Sequence, residues 1–472
     1  NAESKKPTPK TSEIQYSNEI PHINFLDYCL FITFFPQLIA GPIVHHREMM
    51  PQFYKMSRRD SVLSDKWAIA SRALQLHTLT QTIAQNRRLS RKAESTKKAE
   101  SLHIINWEYI AKGLFIFSIG LFKKVVIADS FAKWANAGFS AVENGAVLNC
   151  LESWATSLSY TFELYFDFSG YCDMAIGLGL LFGIVLPMNF SSPYKALNIA
   201  TFWRKWHITL GRFLKEYLYI PLGGNQNLAY RQSRFYMALN NLLTLRNLFI
   251  VAFLSGVWHG AGWGFVIWGS LHGVAMVVHR IYMLLYKKLD SRSRDSACSD
   301  KGLIASRSLR LHTASMRPCE RSQNKPFSST ILESQINSPK IAQNKGWYLR
   351  FMQTRIYILL CWILTFNFVN IAWVFFRAEN VQGAVNLLQG MFLGEVVWLR
   401  LMDSGTVSTN SIEVWGWIFL AFILALACKN SIALSAHISK VRIIFAGVGC
   451  AICLLKIIGD SGASSPFLYF NF

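Results

Sequence analysis

Apolar residues in this chain gather into long blocks separated by polar, mostly basic stretches. The blocks run roughly from Phe25 to Val44, Tyr109 to Ala128, Val147 to Phe168, Tyr171 to Leu186, Leu239 to Val257, Trp263 to Tyr286, Arg355 to Phe376, Val414 to Cys428 and Val441 to Ile458. A helix needs about 20 residues to cross a hydrocarbon core. Backbone groups there must be satisfied within the protein, which leaves helices as the spanning elements for blocks of this length. The pattern predicts an all-α, polytopic integral membrane protein with about eight to nine helical segments, the shorter ones tilted, re-entrant or interfacial. Composition agrees: 52% of residues are hydrophobic and 14% aromatic, unlike a soluble enzyme.

The polar stretches divide the chain. Residues 1–23 form a polar N-terminal segment without the charged-apolar-small order of a signal peptide, so the chain is expected to open in a loop. Residues 24–472 are expected to form one membrane domain, interrupted by polar basic insertions at about 55–103 and 287–350. These two stretches carry net charges of +7 and +8, which together are +15 of the chain's +21. They lack the basic-aromatic interleaving of a nucleic-acid groove, and the positive-inside rule places such charge on the cytoplasmic side of a membrane. No nucleic-acid partner is expected.

The insertions also share a sequence. Residues Ser64 to Thr78 match Ser299 to Thr313 at 11 of 15 positions, and Ile83-Ala84-Gln85-Asn86 returns as Ile341-Ala342-Gln343-Asn344. Two separated copies do not make a solenoid, whose units must bury one another's faces. A repeated element placed in two exposed loops, where insertions cost little, is the expectation, with a duplicated partner-binding loop as the alternative. The nine cysteines are scattered through apolar blocks and imply neither a disulfide framework nor a metal site. Cys450 and Cys453 are expected to be two packed thiols.

Three blocks carry candidate chemistry. In Phe34 to Val44, Pro36, Gly41 and Pro42 break a helix at membrane depth, making either a plain kink or a wall of a binding site. In Asn189 to Asn225, an interfacial amphipathic helix over 199–217 would set Trp203, Trp206 and His207 on one side and turn Arg204 and Lys205 to water. An aromatic belt explains the tryptophans but not the histidine. In Phe253 to Gly273, Gly256, Gly260 and Gly264 lie four apart and permit close helix approach. They leave His259 unexplained, and an ionisable residue at this depth is either a satisfied packing residue or a working group. Glu163 and Asp167, at i and i+4, could face one cavity or bond neighbouring helices, and they stay outside the candidate catalytic set, as do His272 and His279.

Taken together, these blocks resemble the membrane-bound O-acyltransferase (MBOAT) family, in particular its alginate O-acetyltransferase (AlgI) branch. The resemblance covers Asn24 to Phe53, Asn106 to Leu222, Phe249 to Gly273, Asn370 to Arg377 and the ending Ser465 to Phe472. It implies an MBOAT-type helical bundle in which the family's first N-terminal helices are absent before Asn1. Trp258-His259-Gly260 matches the family's Trp-His-Gly motif and implies that His259 is catalytic. Trp203 to His207 matches its Trp-x-x-Trp-His motif and implies His207 as the second histidine, with Trp203, Trp206 and Trp258 contacting substrate.

The resemblance further implies transfer of an acyl group, usually acetyl, to an exopolysaccharide such as alginate. The donor would be acetyl-CoA or another acyl thioester, with no bound cofactor and no metal. The lipid bilayer, the polysaccharide acceptor and periplasmic O-acetylation proteins would be the partners, at the bacterial inner membrane. His259 would take the proton of the acceptor hydroxyl and His207 would position or polarise the acyl donor. A catalytically inactive assembly subunit of a polysaccharide machine and a membrane transporter are the alternatives.

Overall fold

The structure, a computed structural model, describes residues 25–37, 41–54, 106–225, 235–308, 354–396 and 411–459, with 289–308 described by backbone alone. Among these residues the secondary structure is helical throughout. They fall into two compact units, Asn1–Leu38 with His45–Glu100 and Ile39–Val44 with Ser101–Phe472. The N-terminal polar segment, the repeat copy at 64–78 and the short echoes at 83–86 and 341–344 lie outside the described residues, and the copy at 299–313 is described by backbone up to Ser308 only. In the second insertion, the backbone is helical up to Ser308 rather than looped from 287.

The first unit holds α1 (Phe25–Thr33), a short 3-10 turn at Phe35–Gln37, and a helix over 46–54 (α2). The expected span from Phe25 to Val44 is therefore not one helix. Pro36 has no N–H to continue the ladder, so the helix stops before it. Met49 and Met50 are buried, and Phe34 meets Phe53 edge to face at 5.8 Å.

The second unit is organised around α5 (Cys150–Leu181), which is buried along most of its length. Asn149 starts it with a reciprocal cap: its side chain accepts from the Glu152 N–H and the Glu152 carboxylate accepts from the Asn149 N–H. The sequence pattern divides this stretch into two spans at Gly170; the structure has one helix of 32 residues. Gly170 is not a breaker here but a contact. A Cβ on Gly170 would lie 2.8 Å from the Gly120 carbonyl oxygen, and one on Gly120 would lie 2.6 Å from that of Gly170. Gly113 and Gly177 meet in the same way one heptad along, which fixes α3 (Trp107–Phe122) against α5.

Beyond Phe122 the helix widens into a π-turn at Lys123–Ala128 and continues as α4 (Asp129–Glu143). Lys123 reaches Asp173 at 2.6 Å, while Lys124 reaches Asp167 at 2.7 Å and Asp129 at 2.8 Å. Asp167 thus joins helices, one of the two uses the sequence left open for it. Buried charges are held by opposite charges because an isolated one would be far too costly.

Two short helices follow, α6 (Ile199–Trp203) and α7 (Ile208–Leu214), the latter running into a π-turn at Lys215–Tyr219. Next come α8 (Tyr236–His259) and α9 (Trp263–Ser308), which pack as a hairpin with Gly256 against Gly269. The rest comprises α10 (Arg355–Arg377), α11 (Val381–Leu393), α12 (Ser411–Leu426), α13 (Ser431–Ser435) and α14 (Lys440–Gly459). Four helical stretches among the described residues are long and apolar enough to cross a membrane: Tyr236–His259, Trp263–Lys288, Arg355–Arg377 and Lys440–Gly459. Ile443, Ile444, Phe445, Leu455 and Ile458 of α14 face outward, as suits contact with lipid. Cys450 and Cys453, on that helix, are free thiols, partly and fully buried.

Candidate active site

The site is built from six helices and one break between helices. The sequence pattern predicts a single helix over 199–217, but the chain leaves α6 after Trp203 and re-enters a helix only at Ile208. His207 sits at the break in a left-handed conformation, φ 44° and ψ 56°. Such a backbone is uncommon for a residue with a Cβ and has to be enforced by its surroundings. Two hydrogen bonds enforce it here. The Ser191 N–H donates to the Lys205 carbonyl at 2.9 Å, and the Ile208 N–H donates to the Asn189 carbonyl at 3.0 Å. The stretch 189–191 is therefore laced to 205–208 on both sides of His207.

This break turns Trp206 and His207 inward, where they are 4% and 3% exposed. They are part of the core and not of an interfacial belt, while Arg204 is exposed as expected. His207 and His259 line one cavity together with Leu164 and Phe168 of α5, Trp203, Trp206 and Leu210, Trp268 of α9, and Trp373 and Phe376 of α10. The two histidines named from separate motifs, 52 positions apart in sequence, thus reach the same space. All other lining side chains are apolar or aromatic.

His259 is the last residue of α8 and half-buried. Its ring stands edge to face on Trp268 at 5.4 Å and on Phe376 at 5.2 Å. Trp268 in turn stacks on Trp373 at 5.6 Å, and Trp373 lies 5.0 Å from Trp206. Trp203 and Trp206 line the cavity. Trp258, although 5.0 Å from the His259 ring, is 60% exposed on the outside of α8 and does not line the cavity.

His207 is held from behind. Its Nδ1 lies 3.1 Å from Asn189 Oδ1, and its ring stands edge to face on Phe168 at 4.8 Å. Asn189 Oδ1 also accepts from the Thr209 N–H at 3.2 Å and the Thr209 hydroxyl at 2.9 Å. Thr209 Oγ1 accepts from the Ile43 N–H at 3.0 Å, and Arg212 donates to the Ile43 carbonyl at 3.2 Å. The Gly41-Pro42-Ile43 stretch is therefore a brace behind the histidine, while the sequence left a plain kink and a binding-site wall open for it.

A third histidine enters the site that the sequence had set aside. His272 of α9 is fully buried, and its Nδ1 accepts from the Trp203 indole N–H at 3.2 Å. Asn189, His272, Trp268, Trp373 and Phe376 all escaped the sequence analysis as site residues. The one usable signal was for His272, which lies in an apolar block, where a polar side chain needs a partner; Asn189 lies just past the end of one. Glu163 is buried on α5 without lining the cavity. Among the described residues no cluster of histidine, cysteine or carboxylate side chains could hold a metal ion.

A cavity whose titratable lining groups, among the described residues, are two imidazoles set in aromatic walls inside a membrane bundle suits proton transfer shielded from water. The chain as a whole is similar to known proteins. The peptidoglycan O-acetyltransferase of Helicobacter pylori is 39% identical over 467 residues, which is 95% of this chain and 65% of that protein. The probable alginate O-acetylase AlgI of Azotobacter vinelandii is 35% identical over 257 residues, 54% of this chain and 39% of that one. The teichoic acid D-alanyltransferase of Bacillus subtilis is 27% identical over 182 residues, 37% of this chain and 42% of that one. The chain thus spans 65%, 39% and 42% of the lengths of these three relatives. The profile of the membrane-bound O-acyltransferase family matches residues 12–297, a stretch that contains both cavity histidines. With that match over more than half its length, the chain belongs to the membrane-bound O-acyltransferase family.

Proposed function

We propose that this chain transfers an acyl group, acetyl in the first instance, from a thioester donor such as acetyl-CoA to a sugar hydroxyl of a polysaccharide. The observation that carries the reading is the meeting of His207 and His259 on one aromatic cavity. In such a transfer the acceptor oxygen forms a bond to the acyl carbon, the C–S bond breaks, and the hydroxyl proton passes to a base and then to the departing sulfur. His259 is proposed as that base, with His207 as the second imidazole at the reacting centre. Trp203 and Trp206 wall the donor side. Among the described residues the lining includes no serine, cysteine, threonine or lysine, which favours direct transfer over an acyl-enzyme on such a side chain.

For the acceptor, the higher identity over the longer stretch supports one choice over the other. The relative named for peptidoglycan O-acetylation is 39% identical over 95% of this chain, whereas relatives named for alginate are 35% identical over 54% in Azotobacter vinelandii and 29% over 85% in Pseudomonas aeruginosa. A cell-wall glycan is therefore proposed ahead of alginate. The protein would sit in the bacterial inner membrane, taking its donor from the cytosolic side and working with periplasmic O-acetylation proteins.

The test is the O-acetyl content of both peptidoglycan and secreted polysaccharide in an acetylation-deficient host expressing the chain, beside its His259→Ala variant. Acetylation of peptidoglycan that disappears in the variant is the expected result. Acetylation confined to secreted polysaccharide would return the acceptor to alginate or a similar polymer, and none in either polymer would favour an inactive assembly subunit or a transporter.

A further inference from the structure

Asn189 is 1% exposed and lies behind the ring of His207, on the face away from solvent. The orientation of its amide is settled by a neighbour that has no choice of role. The Thr209 backbone N–H, 3.2 Å away, can only donate, so the atom it meets is the carbonyl oxygen. The amide NH2 then points to Cys172, whose sulfur accepts at 3.3 Å. The same oxygen faces His207 Nδ1 at 3.1 Å, and an oxygen of this kind cannot donate. The hydrogen between them must therefore belong to Nδ1.

A neutral imidazole carries one N–H. We infer that Asn189 is a positioning residue that holds His207 in the Nδ1–H tautomer, leaving the lone pair on Nε2 so that this ring can take the hydroxyl proton on from His259 and release it to the departing sulfur. A neutral ring so held cannot polarise a thioester carbonyl, because that would take a hydrogen on Nε2. His272 shows the opposite setting 5.1 Å from Trp203: its Nδ1 accepts from an indole N–H, so its own proton lies on Nε2. His207, on the cavity, and His272, behind it, are thus fixed in different tautomers by their partners, and of the two His207 offers the Nε2 lone pair. Thr209 and the brace through Ile43 keep the Asn189 amide from turning.

The inference rests on the proposed acyl transfer only in its kinetic arm. The first measurement is the ring 15N spectrum of histidine-labelled full chain in lipid nanodiscs, with the His207 signals identified by their loss in His207→Asn. A protonated Nδ1 and an unprotonated Nε2 at His207 are expected in the neutral range, and a protonated Nε2 there would overturn the inference.

The second measurement is acetyl transfer by two variants. Asn189→Leu removes the acceptor, so kcat should fall by on the order of 10²–10⁴ with KM little changed. Asn189→Asp keeps an oxygen facing Nδ1, so it should retain most activity while the acid limb of the pH profile moves up by roughly a pH unit or more, since a carboxylate favours the charged ring. Equal losses in both variants with an unmoved pH profile would show a structural role only and overturn the inference. Should Asn189→Leu fail to fold, the wild-type spectrum and Asn189→Asp still decide. Should the wild type transfer no acetyl at all, the proposed function fails while the spectrum alone judges Asn189.

Discussion

The indole N–H of Trp203 donates to Nδ1 of His272 across 3.2 Å, tying α6 to α9 behind the cavity wall. Trp203 contributes to the cavity, whereas His272, fully buried, stands one layer behind it.

Replacing His272 by phenylalanine should therefore strand the indole N–H in an apolar setting, at a cost of about 1–3 kcal/mol. Glutamine at this position can still accept through its carbonyl and should lose less. Thermal unfolding of the purified variants in detergent checks the order. Equal losses would show that packing, and not this hydrogen bond, holds Trp203.

The contact between Gly120 and Gly170 leaves no space for a methyl group. Gly170→Ala places a Cβ 2.8 Å from a backbone oxygen that cannot move without its helix, so α3 and α5 must part. Overpacking of this kind costs typically 1–3 kcal/mol. Gly416→Ala on α12, with no atom within 4 Å of the added Cβ, should be neutral or slightly stabilising. Folded yield after membrane extraction measures both.

How much of this was legible in the sequence depended on whether the signal was local. Long apolar blocks gave α8, the start of α9, α10 and α14, because span length is a property of one segment. The pattern failed at Gly170 because a glycine that breaks a helix and one that lets two helices touch look alike without the partner. It failed again over 199–217, where tryptophan and histidine at helical spacing imitate an amphipathic face. What breaks that helix is the lacing of 189–191 to 205–208, a contact between stretches that no periodicity records. His207 and His259 were legible through their motifs; Asn189 and His272 were not, since their meaning lies in hydrogen bonds to residues 18 and 69 positions away.

Lys124 is the centre of a buried charge network with Asp167 and Asp129. Lys124→Met removes the counter-charge from two carboxylates and should destabilise the protein by about 3–5 kcal/mol. Adding Asp167→Asn should restore part of that loss, because removing both members of a pair costs less than breaking it. Lys112 and Glu108, an exposed pair on α3, offer the contrast: Lys112→Met should leave stability unchanged. Denaturant midpoints of the single and double variants give the coupling, and full additivity would mean that the charges do not sense one another.

His207 combines an unusual backbone with a proposed chemical role, and two substitutions separate them. Asparagine tolerates the left-handed region better than other residues with a Cβ, whereas valine, branched at Cβ, is strained there. His207→Asn should therefore fold and insert normally yet transfer acetyl on the order of 10²–10⁴-fold more slowly, since only the imidazole is lost. His207→Val should lose the same activity and also unfold at lower temperature, by an amount that reflects roughly 1–3 kcal/mol of backbone strain. His259→Ala, at a helix end with an extended residue after it, should behave as His207→Asn does: intact fold, slowed transfer. Activity retained by His207→Asn would remove this ring from the chemistry and leave it as the residue that shapes the break between α6 and α7.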